Sequence, residues 1–428
     1  MLKNKLAACS YHELTNHSYL SVKIDPNYVD SSTQPSTYKR YPNFYRRYPL
    51  QAGNDVHDLI KLTSTITLEK QYRNYIAQRR VNPSAGGLYP TELYVQIRSV
   101  EEIISGLYHL EIESNTLTLI YELIDDGLEA YICPGKTING LIFLVSCVYF
   151  RSSWKYKNRS LRYCFLDSGH HLGAIEAAAY GYGHQTDLLF DFDKTALNEA
   201  LGFENKEFTT ASVIIGEYET KPRREFRLKI PFVCGTDYFE PNSLIEQGYQ
   251  NTITPASEYQ LLRHPQWEYN REQLLCTISQ RRSARSFRKG AISQEEFRKI
   301  FEAVHQPIAT ESSEVIDFYF IVLRVEGLKA GVYRGQELIK AGDFSQKAAY
   351  LCVDQRIASD SAVTLFLAAN YRNYQTATQF AGLLGHRIYL ASNYHGIACT
   401  GIGAYYDLET KEFLGTEKDI LYALAIGR

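Results

Sequence analysis

Short apolar runs bounded by polar, turn-forming residues occur along the chain, and part of this pattern occurs twice. One predicted strand covers Leu93–Ile97, and Gly106–Tyr108 begins the next. The same pattern returns at the same spacing in Phe318–Val322 and Gly331–Tyr333. Runs rich in β-branched and aromatic residues between turn formers are typical of strands. Each half of the chain is therefore predicted to contain an equivalent strand pair.

The repeat continues beyond these strands. In each half an apolar run is followed by a helical stretch that contains a Gly-His pair and small residues. A Leu-Gly pair comes next, and each half closes with a short strand that ends in Ile-Gly. The members in the first half are Leu141–Val145, Gly169-His170, Ala177–Ala179, Leu201-Gly202 and Ile215-Gly216. Those in the second half are Val363–Leu367, Gly385-His386, Ala391-Ser392, Leu414-Gly415 and Ile426-Gly427. Several matches in the same order favour duplication over coincidence.

The length agrees with two units. A chain of 428 residues exceeds the ~100–200 residues of an ordinary domain, and the repeat places the domains at 1–217 and 269–428. The segment 218–268 between them fits a linker better than a packed element, because prolines recur in it. These are Pro222, Pro231, Pro241, Pro255 and Pro265.

The predicted fold class is α+β, because strands and helices are mixed without strict alternation. One helix is predicted over Ser293–Val304, where Ser293 and Glu296 can form a capping box.

Composition excludes several classes of function. With 45% hydrophobic and 22% charged residues, the chain has the composition of a soluble globular protein. A net charge of -2 lacks the basic footprint of a nucleic-acid binder. The longest apolar run, Leu141–Val148, is far shorter than the ~20 residues of a membrane span, and no signal peptide is predicted. Eight scattered cysteines without a CxxC pair argue against a zinc site and a disulfide framework, and for a reducing cytoplasm.

Two segments carry candidate chemistry. Arg79–Pro90 reads RRVNPSAGGLYP, and the glycines allow consecutive N–H groups to approach a ligand closely. Without a ligand, the same loop is a turn before the strand at Leu93. Arg281–Arg288 reads RRSARSFR, and its four arginines and two serines match a phosphate. The alternative for this segment is a solvated basic surface turn.

These segments resemble the FMN-dependent nitroreductase superfamily. Arg281–Phe287 is similar to its phosphate-binding signature. Arg79–Tyr94 resembles the SagB-type branch, which includes azoline oxidases of thiazole/oxazole-modified peptide pathways. Tyr11–Ser18, Trp154–His170 and Gly401–Gly415 resemble the same branch. The matches are spread over nearly the whole chain.

The resemblance implies two fused nitroreductase-like domains that form an intramolecular pseudo-dimer. In this superfamily FMN lies at a dimer interface, where one subunit provides the phosphate arginines and a C-terminal glycine segment and the other provides the Pro-Ser loop. Here the arginine signature is in the second half and the glycine loop in the first, whereas the expected loop of the second half, His305–Glu311, lacks glycines. One composite FMN site and one degenerate site are therefore expected. The implied FMN-binding residues are Pro83, Ser84, Ala85, Gly86, Gly87, Arg281, Arg282, Ser283, Arg285, Gly401, Ile402, Gly403 and Arg428.

Lys155 and Tyr156 resemble the Lys-Tyr pair that azoline oxidases use near the flavin. Aromatising an azoline removes a hydride and a proton, and a lysine or a tyrosinate can take the proton. The alternative is a surface lysine beside an interface tyrosine. The implied function is FMN-dependent dehydrogenation of an azoline-type heterocycle in a peptide or peptide-like product, with an external acceptor such as oxygen.

Two other functions remain open. The chain is alternatively an NAD(P)H-dependent reductase of nitro or quinone-type compounds, or a non-catalytic partner of a peptide-modifying complex. The expected partners are a small-molecule or peptide substrate and other peptide-modifying enzymes, with no nucleic acid and no membrane.

Overall fold

The computed structural model describes residues 11–25, 29–72, 76–254 and 263–428. Residues 1–10, where no signal peptide is predicted, and Pro255 lie outside the described residues. The described residues form two large antiparallel sheets with helices packed around them, which confirms the predicted α+β class. None of their helices is long and apolar enough to cross a bilayer.

The first half contains a seven-stranded sheet and a separate hairpin. The strands are β1 (Arg47–Pro49), β2 (Ile66–Gln71), β3 (Ile76–Arg80), β4 (Thr91–Arg98), β5 (Gly106–Glu111), β6 (Thr116–Glu122), β7 (Thr137–Cys147), β8 (Asp187–Leu189) and β9 (Phe208–Glu219). The sheet has the order β1-β6-β5-β4-β7-β9-β8, and β2 pairs with β3 outside it. Every residue of β4 is buried, as expected for a strand covered on both faces.

The second half contains a six-stranded sheet with the same order. Its strands are β10 (Asp317–Val322), β11 (Gly331–Arg334), β12 (Glu337–Ala341), β13 (Val363–Ala369), β14 (Ala398–Ile402) and β15 (Asp419–Gly427). The order is β12-β11-β10-β13-β15-β14, which matches β6-β5-β4-β7-β9-β8 position by position. The strands predicted from the repeated pattern are therefore all present.

Helices connect and cover the sheets. They are α1 (Tyr19–Ile24), α2 (Asp55–Leu62), α3 (Glu129–Ile132), α4 (Phe150–Tyr156), α5 (Ser160–Gly181), α6 (Lys194–Ala200), α7 (Ser243–Thr252), α8 (Arg271–Gln280), α9 (Gln294–Val304), α10 (Ser345–Leu351), α11 (Arg356–Asp360), α12 (Tyr374–Tyr394) and α13 (Asp407–Leu414). The capping box of Ser293 and Glu296 is present at the start of α9, which confirms that prediction.

The long helices α5 and α12 join the halves. Both are buried along nearly their whole length, and they touch where each has a glycine. A Cβ on Gly169 would lie 2.1 Å from the carbonyl oxygen of Gln379, and one on Gly382 would lie 2.2 Å from that of Leu166. Because backbone atoms cannot move aside cheaply, glycine is required at both positions.

Two buried ionic contacts also cross between the halves. Arg387 of α12 makes a bidentate pair with Glu176 of α5, with Nε–Oε2 and Nη2–Oε1 distances of 2.9 and 2.6 Å. Asp407 accepts from Arg159 at 2.9 Å and from Arg162 at 2.6 Å. Burial raises and the two guanidiniums lower the pKa of Asp407, and the net result lies well below its ordinary value. These contacts fix the halves in one arrangement.

The segment predicted as a linker contains a packed helix, which the prolines did not indicate. Helix α7 begins after Asn242, whose side chain accepts from the N–H groups of Leu244 and Ile245. Ile245 and Tyr249, four residues apart, are both buried in the main core. A good N-cap and one apolar helical face therefore outweigh the proline content of 218–268. Strand β9 also runs to Glu219, two residues past the predicted boundary.

Candidate functional site

The glycine loop, Pro83–Gly87, lies between β3 and β4. Residues Ala85–Gly87 form one 3₁₀ turn, in which Gly86 and Gly87 have φ values of +64° and +69°. L-residues with side chains rarely adopt these angles. Space also requires glycine, because a Cβ on Gly86 would lie 2.6 Å from the Tyr156 hydroxyl and 3.4 Å from Lys155 Nζ. The loop therefore lies directly against the predicted catalytic pair.

Lys155 and Tyr156 are the last residues of α4, and both are half-buried. The Lys155 ammonium lies 5.4 Å from the centroid of the Tyr156 ring. No described residue forms a hydrogen bond or ion pair with that ammonium. The Tyr156 ring packs on Tyr163 with centroids 4.4 Å apart. Burial raises the pKa of Tyr156, so its hydroxyl keeps its proton at neutral pH.

Asp167 of α5 lies behind the loop and was not singled out as a site residue. Its carboxylate accepts hydrogen bonds from the Ser84 hydroxyl and, at 3.2 Å, from the Ala85 N–H. Ser84 Oγ in turn accepts from the Tyr89 N–H at 2.9 Å. Burial raises the pKa of Asp167 to about 7, while the bonds from Ser84 and Ala85 act in the opposite direction. Asp167 thus holds the start of the loop with a carboxylate that is costly to ionise.

This pKa predicts a pH-dependent stability. A group whose pKa is higher in the folded state contributes stability at low pH that is lost as the pH rises through the folded pKa. Relative to an Asp167→Asn variant, the free energy of unfolding of the wild-type protein should fall by about 3 kcal/mol between pH ~4 and ~7. Urea titrations across this range measure the difference, and Asp237→Asn, at an exposed carboxylate, is the control. A difference that does not change with pH would contradict the assignment.

The second half contributes the end of β14. Tyr163 donates a hydrogen bond to the carbonyl of Gly403 at 3.0 Å. This bond links the glycine strand, Gly401–Gly403, to the packed rings of Tyr156 and Tyr163. The N–H of Gly401 donates to the Tyr389 hydroxyl at 2.6 Å. Among the described residues, none accepts a hydrogen bond from the N–H groups of Gly403 and Ala404. Two adjacent main-chain donors are thus available here.

The arginine segment reaches the first half directly. Arg281 Nε donates to the carbonyl of Val81 at 2.6 Å, and Nη2 donates to that of Arg80 at 3.2 Å. Its third nitrogen, Nη1, is buried and has no hydrogen-bond partner among the described residues. A buried unpaired donor is costly, so this atom is suited to an anionic ligand.

Ser283 and Arg285 follow Arg281 on the exposed side of the segment. The Ser283 hydroxyl lies 2.9 Å from that of Tyr389. Ala284 N–H donates to the carbonyl of Cys399 in β14 at 2.8 Å. The segment therefore runs beside the glycine strand, and the serine and the arginine face solvent where a phosphate could be reached.

Arg282 and Arg428 are among the expected residues whose side chains have other contacts. Arg282 Nη2 donates to the carbonyl of Thr67 in β2 at 2.6 Å, so its guanidinium is bound to the hairpin. The Arg428 guanidinium bonds Glu296 at 2.5 Å, although the Arg428 carbonyl accepts from the N–H of Arg288 beside the arginine segment. Arg428 could reach a phosphate only by exchanging partners. Tyr163 and Tyr389, which connect the site, were not recognised from the sequence, because an isolated tyrosine has no distinguishing local pattern.

Comparisons with known proteins concern the second half of the chain and the overall fold. Residues 278–428 match the model of the Nitroreductase family, and this match includes the arginine segment and the glycine strand. A protein of Methanocaldococcus jannaschii, provisionally named a nitroreductase, is 29% identical over 123 residues, which is 28% of this chain. The match spans 62% of that relative, less than two thirds of its length.

The fold of the whole chain has a counterpart among solved structures. A protein from Anabaena variabilis, also provisionally named a nitroreductase, matches over 99% of both chains with a TM-score of 0.82 and 24% identity. The class is therefore an α+β protein with a nitroreductase-like fold, as predicted. Within it, the second half also matches the family in sequence.

Proposed function

We propose that the chain is an FMN-dependent oxidoreductase in which two fused nitroreductase-like halves form one composite cofactor site. The supporting observation is the contact of Arg281, in the second half, with the carbonyls of Arg80 and Val81, directly ahead of the glycine loop of the first. This contact brings the arginine segment, proposed to bind the flavin phosphate, next to the glycine loop, proposed to contact the flavin ring. The matching strand orders of the two sheets support the tandem arrangement.

The residues present fit FMN. The unpaired Nη1 of Arg281, with the exposed Ser283 and Arg285, offers charge-assisted donors for a phosphate. The free N–H groups of Gly403 and Ala404 suit the carbonyl and nitrogen acceptors along the edge of the ring. In this assignment Arg282 holds the hairpin and does not touch the cofactor.

Removing the Arg281 side chain should weaken FMN binding. A hydrogen bond to a charged group contributes ~1.5–3 kcal/mol, so Arg281→Ala should raise the FMN dissociation constant ~10- to 100-fold. Quenching of FMN fluorescence on titration into apoprotein measures this constant. Arg288→Ala, at an exposed arginine of the same segment, should leave it unchanged. Equal affinity of the Arg281→Ala variant and the wild-type protein would refute the phosphate site.

The favoured reaction is dehydrogenation of an azoline-type heterocycle in a peptide or peptide-like product. When bound, FMN supplies an acceptor for the hydride from the substrate carbon. Lys155 lies beside Gly86 and forms no hydrogen bond or ion pair with a described residue. In its neutral amine form it takes the proton from the adjacent carbon. Tyr156, whose pKa is raised by burial, stays protonated and can donate a hydrogen bond to the substrate. Incubating the flavin-loaded protein with azoline peptides should give a mass loss of two hydrogens, and no loss across a range of azolines would exclude this class.

The second candidate reaction is NAD(P)H-dependent reduction of a nitro or quinone-type compound. It is favoured by the nitroreductase names of the relatives. Rapid anaerobic bleaching of the bound flavin by NADPH would support it, whereas slow bleaching would support the dehydrogenase. A protein that purifies without flavin and cannot be loaded with it would instead be the non-catalytic partner.

A further inference from the structure

The pairing registers define which residues of the two halves correspond. Leu93 pairs with Val145 as Phe318 pairs with Leu367. Along the next strand pair, Leu141 faces Ile215 as Val363 faces Ile426. The correspondence is therefore continuous through three strands of each sheet.

The same registers reach the glycine strand. In β8, Leu189 faces Ser212, and in β14 Ile402 faces Ala423. Since Ile215 corresponds to Ile426, Ser212 corresponds to Ala423, and so Leu189 corresponds to Ile402. The two residues that follow, Phe190 and Asp191, therefore correspond to Gly403 and Ala404, whose N–H groups have no acceptor among the described residues.

Glu311 corresponds to Gly86 by its distance along the chain from the matched strands. Gly86 lies seven residues before Leu93, and Glu311 lies seven before Phe318. One oxygen of the Glu311 carboxylate accepts from the N–H of Phe190 at 2.5 Å and from that of Asp191 at 2.7 Å. The two donors that are free in the first site are thus both bound in the second.

Neighbouring contacts close the second site further. The N–H of Leu188 donates to the carbonyl of Ala309 at 2.8 Å, so the loop adds to the end of β8. The side chain of Asp191 accepts from Thr254 at 2.7 Å and from Asn373 at 3.2 Å. The other oxygen of the Glu311 carboxylate accepts from the Thr310 hydroxyl at 3.0 Å. Burial raises the pKa of Glu311, and the two main-chain donors lower it.

We propose that Glu311 closes the second composite site from within, its carboxylate taking the main-chain donors that bind the cofactor ring in the first, so that the chain holds a single FMN. This inference rests on the proposed function. In the second site the loop thus not only lacks glycines but places a side chain of the protein where the ligand would bind.

Two measurements on the full chain test the inference. The first is the FMN content after loading with excess FMN and gel filtration, from flavin absorbance and amino-acid analysis. One FMN per chain is expected. Two per chain would overturn the inference and leave the proposed function standing, whereas none would overturn the proposed function itself.

The second measurement is amide hydrogen exchange with and without FMN. Peptides that cover 400–406 should gain protection when FMN is added, whereas peptides that cover 187–193 should be protected already and should not change. Glu311→Ala should expose the 187–193 amides and still bind one FMN. The control is Glu314→Ala, because Glu314 accepts from the N–H groups of Arg372 and Asn373 and not from β8. Protection of 187–193 by FMN, or loss of FMN from Glu311→Ala, would overturn the assignment.

Discussion

Replacement of Lys155 by methionine should lower turnover ~10²- to 10⁴-fold, the usual contribution of a positioned general base. Methionine keeps the length of the side chain and removes the ammonium. Lys155 Nζ lies 3.4 Å from the Cβ position at Gly86 and forms no hydrogen bond or ion pair with a described residue, so its loss should not disturb the cofactor loop. The FMN dissociation constant should therefore stay at the wild-type value while kcat falls.

Lys157→Met is the matched control for this prediction. Lys157 is two residues away, exposed, and paired with Asp25 at 3.3 Å. Its replacement should leave both kcat and FMN binding unchanged. Normal turnover in the Lys155→Met variant would show that the base is elsewhere, and a loss of FMN from it would show a role in cofactor binding.

Replacement of Arg387 by methionine should lower the free energy of unfolding by ~3–5 kcal/mol, because it leaves a carboxylate buried without its counter-charge. Glu176 and Arg387 have only 2% and 4% of their side chains exposed. Arg387 also donates to the main-chain carbonyls of Gln306 and Pro307, so the loss extends into the loop that carries Glu311. Guanidinium chloride unfolding followed by tyrosine fluorescence measures this change.

The double variant Glu176→Gln/Arg387→Met separates the effect of the unpaired charge on stability from the effect of lost packing. Because the uncompensated carboxylate is then absent, the double variant should recover part of the lost stability. Arg298→Met, at an exposed arginine that pairs with Glu295 and Glu302 on α9, should change stability little. If Arg387→Met lowered the free energy of unfolding no more than Arg298→Met, the Glu176–Arg387 ion pair would not hold the halves together.

The secondary structure was largely predictable, because it depends on local patterns. Strand β4 around Leu93 and helix α9 after Ser293 follow from residues within a few positions of each other. Helix α7 was not predicted, because the prolines of 218–268 favoured a linker. The apolar face of α7 was recognised only from its packing on the core. Lys155 and Tyr156 could be singled out only by their resemblance to a motif, since a lysine next to a tyrosine has no chemical significance by itself.

The sequence by itself determined the succession of the repeated strands along each half, the two glycines of the loop and the separation of loop and arginines between the halves. These follow from local backbone preferences and from the chemistry of each segment. Only the tertiary structure decided that Arg281 meets Val81, that Asp167 holds Ser84, and that Glu311 takes the donors of Phe190 and Asp191. The physical reason is that each contact joins residues far apart along the chain, and their separation is fixed by the close packing of α5 on α12.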